Sequence, residues 1–192
     1  MRIGMVISGG DVTGTNNFIF QIARMTQAEM ILFNGGIPGL LDNVCQEISQ
    51  RDLVDFSITS LPVMQSGRTA RKLIRSEYET IARQLKALRI DVLILAGGDG
   101  SLQFLHTLSE FGVNCFGIGM TIDNDVYGSD YTVGFSTACE QVLKEVAKLR
   151  NTGRALTGRV FMVELLGGYC GELTLQSALK SNADFALIPE CQ

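Results

Sequence analysis

Short apolar runs closed by glycine, recurring along the chain with helical periodicity between them, restrict this sequence more than any other feature. "DVLILA" at 91–96 runs straight into "GGDG". Residues 3–7 end at "SGGD", residues 30–33 at "NGG", and 113–118 run into the "GIG" at 117–119. Unbroken apolar runs of this kind suit strands buried on both faces. The runs at 160–166 and 185–188 read as strands of the same type. Between the runs, 71–88 sets Leu73, Ile74, Tyr78, Ile81, Leu85 and Leu88 at three- and four-residue spacing with charges between them, which predicts a helix. Residues 101–111, 137–149 and 172–179 look similar. The alternation predicts an α/β chain with a three-layer, mainly parallel sheet. In such folds ligands bind beyond the carboxyl ends of the strands, and that is where the glycine clusters lie.

Composition removes several classes of function. Apolar residues make up 46 % of the 192, enough for a core, and no apolar run approaches the ~18–20 residues of a membrane span. The N-terminus "MRIGMVISGGD" reads as a first strand rather than a signal peptide. A net charge of −4 without a Lys/Arg block argues against nucleic acid as a partner. Five scattered cysteines without a C-x-x-C pair read as cytosolic thiols, and so as a cytoplasmic protein. One histidine, His106, leaves no material for a histidine triad or a multi-histidine zinc site.

The chemistry must therefore come from glycines, carboxylates and arginines. There is no G-x-x-x-x-G-K-[ST] and no strand-linked G-x-G-x-x-G. "GGDGS" at 97–101 brings backbone N–H groups and a helix N-terminus to one turn, which favours phosphate. Asp99 in its middle requires a bridging divalent cation there, or else is the N-cap of the helix. "SGGD" at 8–11 has the same two readings. In "TIDND" at 121–125, Asp123 and Asp125 share a face of an extended stretch and form either a proton-and-metal site or an Asx-turn. Arg68 in "QSGR" and Arg159 match oxyanion geometry or lie on the surface. Glu164, inside an apolar run, is expected to be buried with a partner. The polar stretch 151–158 suggests a lobe boundary. The final "LIPECQ" follows directly on a strand-like run, so either a partner covers it or the polypeptide is incomplete.

Taken in order, "SGGDVTGTN", "QSGR", "LAGGDGS", "TIDNDVYGSDYTVGFSTA" and "RVFMVELLGGYCGELTL" resemble the 6-phosphofructokinases. The likeness runs from Arg2 to Glu190. It implies two α/β lobes, here a nucleotide-binding lobe over 1–135 and the start of a sugar-phosphate lobe over 136–192, the second only partly present. It implies glycolytic transfer of a phosphoryl group from ATP, with Mg²⁺, to the 1-hydroxyl of fructose 6-phosphate by a homo-oligomer.

By the same resemblance, Gly10 contacts donor phosphate and Arg68 steadies the transferred group. Asp99 is the Mg²⁺-linked carboxylate, and Gly98, Gly100 and Ser101 line the nucleotide site. Asp123 is the general base, Thr121 binds the transferring phosphoryl group, Ile122 lies with them on the substrate side, and Asp125 supports the metal and the loop. Arg159, Leu166, Gly167 and Gly168 fall at sugar-phosphate positions. Arg24, Arg150 and Asp184 resemble allosteric ligands, although Phe20 stands where an arginine is usual. Gly100 favours ATP over pyrophosphate. Met120 fits neither donor branch, and its thioether is expected to occupy the phosphate path. Gly168 replaces an arginine that stabilises the transition state. These departures admit two other readings, a non-catalytic nucleotide-binding or regulatory subunit and a kinase for another sugar phosphate.

Overall fold

The computed structural model describes residues 1–10, 12–49, 52 and 61–191. Asp11 of the "SGGD" motif lies outside the described residues. The chain divides into two compact units, Met1–Met120 and Thr121–Gln192.

In the first unit the strands are β1 (Arg2–Ser8), β2 (Glu29–Phe33), β3 (Cys45–Ile48), β4 (Val92–Gly97) and β5 (Cys115–Thr121), and they lie in the order β3-β2-β1-β4-β5. β1 pairs in parallel with both β2 and β4, and β4 with β5, whereas β3 runs antiparallel to β2. The apolar runs predicted β1, β2, β4 and β5. They missed β3, an edge strand that buries only Ile48 and so shows no apolar run.

The central strands are apolar throughout because each buries both faces. Val6, Ile31, Phe33, Leu93 and Leu95 project to one side. There they pack with residues of α2 (Gly36–Leu41), α3 (Arg75–Ala87) and α4 (Asp99–Ser109). The alternate set, including Met5, Leu32 and Ala96, is equally buried. Helix α1 (Thr15–Thr26) buries Ile19 and Ala23. Each large apolar side chain removed from water contributes about 1.5–3 kcal/mol, so this two-sided core is the main source of the unit's stability.

Helix α3 starts four residues later than the periodicity predicts. The chain is still extended at Ile74 (φ −91°, ψ 161°). The Glu77 carboxylate accepts the Ile74 N–H at 2.8 Å and a forked pair of bonds from Arg71. An acceptor at the third helical position satisfies an N–H left over at the helix start. The Arg71 hydrogen bond, followed by that of Ile74, holds the Glu77 carboxyl down at about 2, from an ordinary 4.5. A lowered folded-state pKa stabilises above the unfolded value, and that contribution fades as pH falls from about 4.5 towards 2. Melting wild type and Glu77→Gln across this range should show a Tm gap at pH 6 that closes near pH 2. A gap independent of pH would contradict this account.

The second unit contains the two-residue strand β6 (Val133–Gly134), α5 (Phe135–Ala155), α6 (Glu172–Ser181) and a final 3₁₀ turn (Pro189–Cys191). Phe135, Cys139 and Leu173 form its buried cluster, with Ile122, Ala138 and Leu165 against it. The strands predicted at 160–166 and 185–188 are absent. Both stretches are without strand pairing, with Val160 94 % and Phe185 88 % exposed. A strand exists only through hydrogen bonds to a neighbour, and no described residue pairs with these stretches. Glu164, expected to be buried, is exposed for the same reason. No helix among the described residues is long and apolar enough to cross a membrane.

Candidate functional site

The strand order reverses direction between β1 and β4, which are adjacent and parallel. A crevice beyond the carboxyl ends of such a pair is where open α/β sheets bind ligands. The register sets Ser8 opposite Gly97, so "SGG" and "GGDGS" are neighbours although about ninety residues separate them. Their contact requires glycine at 97, because a Cβ there would lie 2.5 Å from the Ser8 carbonyl oxygen and 2.8 Å from the Ser101 Cβ.

A third segment joins this corner. The Gly9 N–H donates to the Gly67 carbonyl at 3.2 Å, and Ser8 forms an isolated parallel bridge with Gly67. On its other side Gly67 presses on the backbone at Gly35, whose N–H donates to Gln65 O at 2.9 Å. Arg68 follows immediately, with Nη2 3.3 Å from where a Cβ on Gly10 would stand. It is exposed and forms no ion pair among the described residues. A cavity of about 320 Å³ opens beside Gly10, lined also by Ile7, Val12, Thr15 and Met64.

Helix α4 starts on this corner. Gly98 is its N-cap and makes no side-chain cap, so Asp99 is not the N-cap that one reading of the turn allowed. Asp99 is the first helical residue, exposed, with Oδ2 accepting from Gln103 at 2.7 Å. Gly100 is exposed too, and a Cβ there would meet nothing within 4 Å. The first unit thus brings Gly10, Arg68, Gly98, Asp99, Gly100 and Ser101 to one corner. It offers backbone donors, a helix N-terminus, a guanidinium and one carboxylate.

Met120 ends this unit. It is 3 % exposed, with its sulfur 3.6 Å from the Thr15 hydroxyl. That hydroxyl has its better acceptor in Val12 O at 2.8 Å. Thr15 also lines the cavity beside Gly10.

In the second unit the loop after Thr121 is held by its own polar groups. Asn124 adopts a left-handed conformation (φ 56°). Its Oδ1 accepts the Thr132 N–H at 2.9 Å, and its Nδ2 donates to Asp130 O at 3.4 Å. The buried Thr132 hydroxyl donates to Thr121 O at 2.7 Å. The Asp123 N–H donates to Thr121 Oγ1 at 3.2 Å, and the Cys170 thiol to Asp123 O at 3.3 Å. Thr121, Ile122 and Asp123 are half-buried, and Asp125 is exposed. The turn at its start is of the Thr type, with the Thr121 hydroxyl accepting the N–H two residues on.

The remaining expected residues are more open. Arg159 and Leu166 are exposed, Gly167 is half-buried, and Gly168 is exposed with φ 59°. Arg150 donates to the Asn182 carbonyl two residues before the exposed Asp184. Arg24 lies in the last turn of α1 and is exposed. Magnesium takes oxygen ligands, commonly one or two carboxylates together with phosphate oxygens and water. Exposed Asp99 in the first unit and exposed Asp125 in the second are each of the ligand type such a cation takes, and no cluster of three or more His, Cys, Asp or Glu forms among the described residues. Ser8 and Gly67, both central to the corner, have no individual role in the sequence reading, although both lie inside motifs it singles out.

The Phosphofructokinase family matches residues 2–192. ATP-dependent 6-phosphofructokinases of Hamiltonella defensa and Teredinibacter turnerae are each 35 % identical over 193 residues. The alignments cover 98 % of this chain and 59 % and 60 % of those relatives. A solved phosphofructokinase of Saccharomyces cerevisiae superposes with a TM-score of 0.88 at 25 % identity, over 98 % of this chain and 29 % of its own. A pyrophosphate-dependent phosphofructokinase from Marinobacter aquaeolei shares the fold, with a TM-score of 0.74 at 20 % identity over 93 % of this chain and 49 % of its own. The chain belongs to the phosphofructokinase family. It spans about 60 % of the length of the curated relatives it matches.

Proposed function

We propose that this protein transfers the γ-phosphoryl group of ATP to the 1-hydroxyl of fructose 6-phosphate, as a cytoplasmic, homo-oligomeric 6-phosphofructokinase of glycolysis. The observation that carries the reading is the corner between β1 and β4, where Arg68 meets Gly10 beside the start of α4.

Phosphoryl transfer asks for positioning and charge neutralisation more than for covalent chemistry. Gly10 offers its backbone to the donor phosphates, and Gly98, Gly100 and Ser101 line the nucleotide at the positive end of α4. Arg68 neutralises the group in flight. Asp99 and Asp125 would each offer a carboxylate to Mg²⁺, which would supply charge neutralisation to the phosphates when bound. Asp123 takes the proton of the sugar 1-hydroxyl as its oxygen bonds to the γ-phosphorus and the bond to ADP breaks. Thr121 and Ile122 orient the reacting groups. Arg159 and residues 166–168 lie on the sugar-phosphate side. Arg24, Arg150 and Asp184 belong to an effector site.

The test is direct. Purified protein with Mg²⁺ and ATP is expected to form fructose 1,6-bisphosphate from fructose 6-phosphate. ATP binding by calorimetry without product would refute this reading and support a non-catalytic, nucleotide-binding relative. Gly168 favours that second reading, since no side chain reaches from the position where the family's arginine is expected. Turnover of a different sugar phosphate would instead identify another acceptor.

Gly168→Arg probes the same point. A Cβ at 168 meets nothing within 4 Å, so the first carbon of the side chain has room. The left-handed backbone costs a non-glycine residue about 1 kcal/mol. We expect kcat to rise about a hundredfold, the lower end of the ~10²–10³ that one transition-state donor contributes. An unchanged kcat would show that this missing cation does not limit the rate.

A further inference from the structure

The segments assigned to donor phosphate come from three distant stretches of chain, and one buried hydroxyl touches two of them. Ser8, the last residue of β1, is 4 % exposed. The Ser101 hydroxyl donates to Ser8 Oγ at 2.9 Å across 93 residues. The Ser8 hydroxyl donates in turn to the Gly67 carbonyl at 3.4 Å, a long bond to the oxygen that also accepts the Gly9 N–H. A hydroxyl has a single proton to give, so donation runs one way, from Ser101 through Ser8 to Gly67. Each bond in such a chain polarises the next.

The surroundings fix both ends of this relay. On one side Ser8 and Ser101 close on Gly97 so tightly that a Cβ there would collide with both. On the other, Gly67 is wedged against Gly35 and Gly36; a Cβ on Gly36 would lie 2.4 Å from Gly67 O. The residue after Gly67 is Arg68, whose guanidinium rests at Gly10.

We infer that Ser8 is a positioning residue whose buried hydroxyl couples the first turn of α4 to the backbone that carries Arg68, and so holds the guanidinium in register with the phosphate-binding backbone. Losing the hydroxyl releases both ends at once. The inference rests on the donor-site reading above. Because Arg68 is assigned to the transferred group, its effect is read as discrimination between nucleotides with and without a γ-phosphate.

The experiment measures MgATP and MgADP affinities by calorimetry for the wild-type protein, Ser8→Ala, Ser8→Thr, Arg68→Ala and the double variant Ser8→Ala/Arg68→Ala. Ser8→Ala is expected to weaken MgATP about tenfold and MgADP no more than about twofold, as for loss of a buried hydrogen-bonded link. In the Arg68→Ala background the same substitution should leave the ATP-to-ADP ratio unchanged, because the group it positions is gone. Ser8→Thr, which keeps the hydroxyl, should retain the wild-type ratio. If the added methyl prevents folding, the Arg68→Ala comparison alone decides. A Ser8→Ala ratio equal to wild type overturns the inference, whether both affinities persist or fall together, the latter being the signature of lost packing. A wild type that binds neither nucleotide overturns the donor reading and the role of Ser8 with it. A wild type that binds both, with Ser8→Ala unaffected, overturns the role of Ser8 alone.

Discussion

Asp123→Asn is expected to lower phosphoryl transfer about a thousandfold, within the ~10²–10⁴ that a positioned general base contributes, while MgATP affinity stays within about twofold. The carboxamide has the size of the carboxylate, so the loop should keep its shape. The contacts that hold residue 123 support this, because two of them are to its backbone. Its N–H donates to Thr121 Oγ1, and its carbonyl accepts from Cys170. The bonds from Thr132 to Asn124 and to the Thr121 carbonyl, which frame the loop, do not involve the substituted group. Affinity should survive because the donor segments belong to the Met1–Met120 unit. Steady-state assay of fructose 1,6-bisphosphate, paired with calorimetry, separates the two quantities. Unchanged turnover would remove Asp123 as the base. A matching loss of ATP binding would show that the substitution disturbs more than proton transfer.

Gly67→Ala should damage both the fold of the first unit and its function. The added Cβ would lie 2.2 Å from the Gly35 carbonyl oxygen and 2.8 Å from its carbon. Neither neighbour is the free end of a flexible side chain, so the backbone of one segment must move. Overpacking of this kind costs about 3 kcal/mol, and Tm should fall by roughly 6–12 °C in a chain of this size. Function should fall with it. Displacing Gly67 breaks the bonds from Gly9 and Ser8 and carries Arg68 away from Gly10. Melting curves and MgATP calorimetry on one preparation test both consequences. A variant with wild-type Tm would show that the loop over 65–68 is looser than its contacts imply.

Much of the first unit is legible in the sequence. β4 is readable because both its faces are buried, which leaves "VLILA" with no polar interruption. Helix α3 is readable from its apolar spacing, but its start is not. The start depends on a carboxylate three residues into the helix and an arginine outside it. β3 is illegible because an edge strand can be mostly polar. The runs at 160–166 and 185–188 illustrate the converse. Apolar, β-prone sequence predicts a strand, yet a strand needs a neighbour to bond.

The site divides along the same line. The residue types for phosphate chemistry, and the motifs that hold them, are written in the sequence itself. Met120 shows what that reading leaves open, since sequence places a bulky side chain in the loop but not the direction in which burial turns it. By itself the sequence determined that this chain builds buried strands ending in glycine turns, and that carboxylates and arginines follow them. Only the tertiary structure decided which turns meet. Strand order and register placed β1 beside β4 and Gly67 against both Gly35 and Ser8. Local periodicity encodes how much of a strand is buried. It does not encode which strand lies next to it, because that choice is made by backbone hydrogen bonds and close packing between residues far apart in the chain.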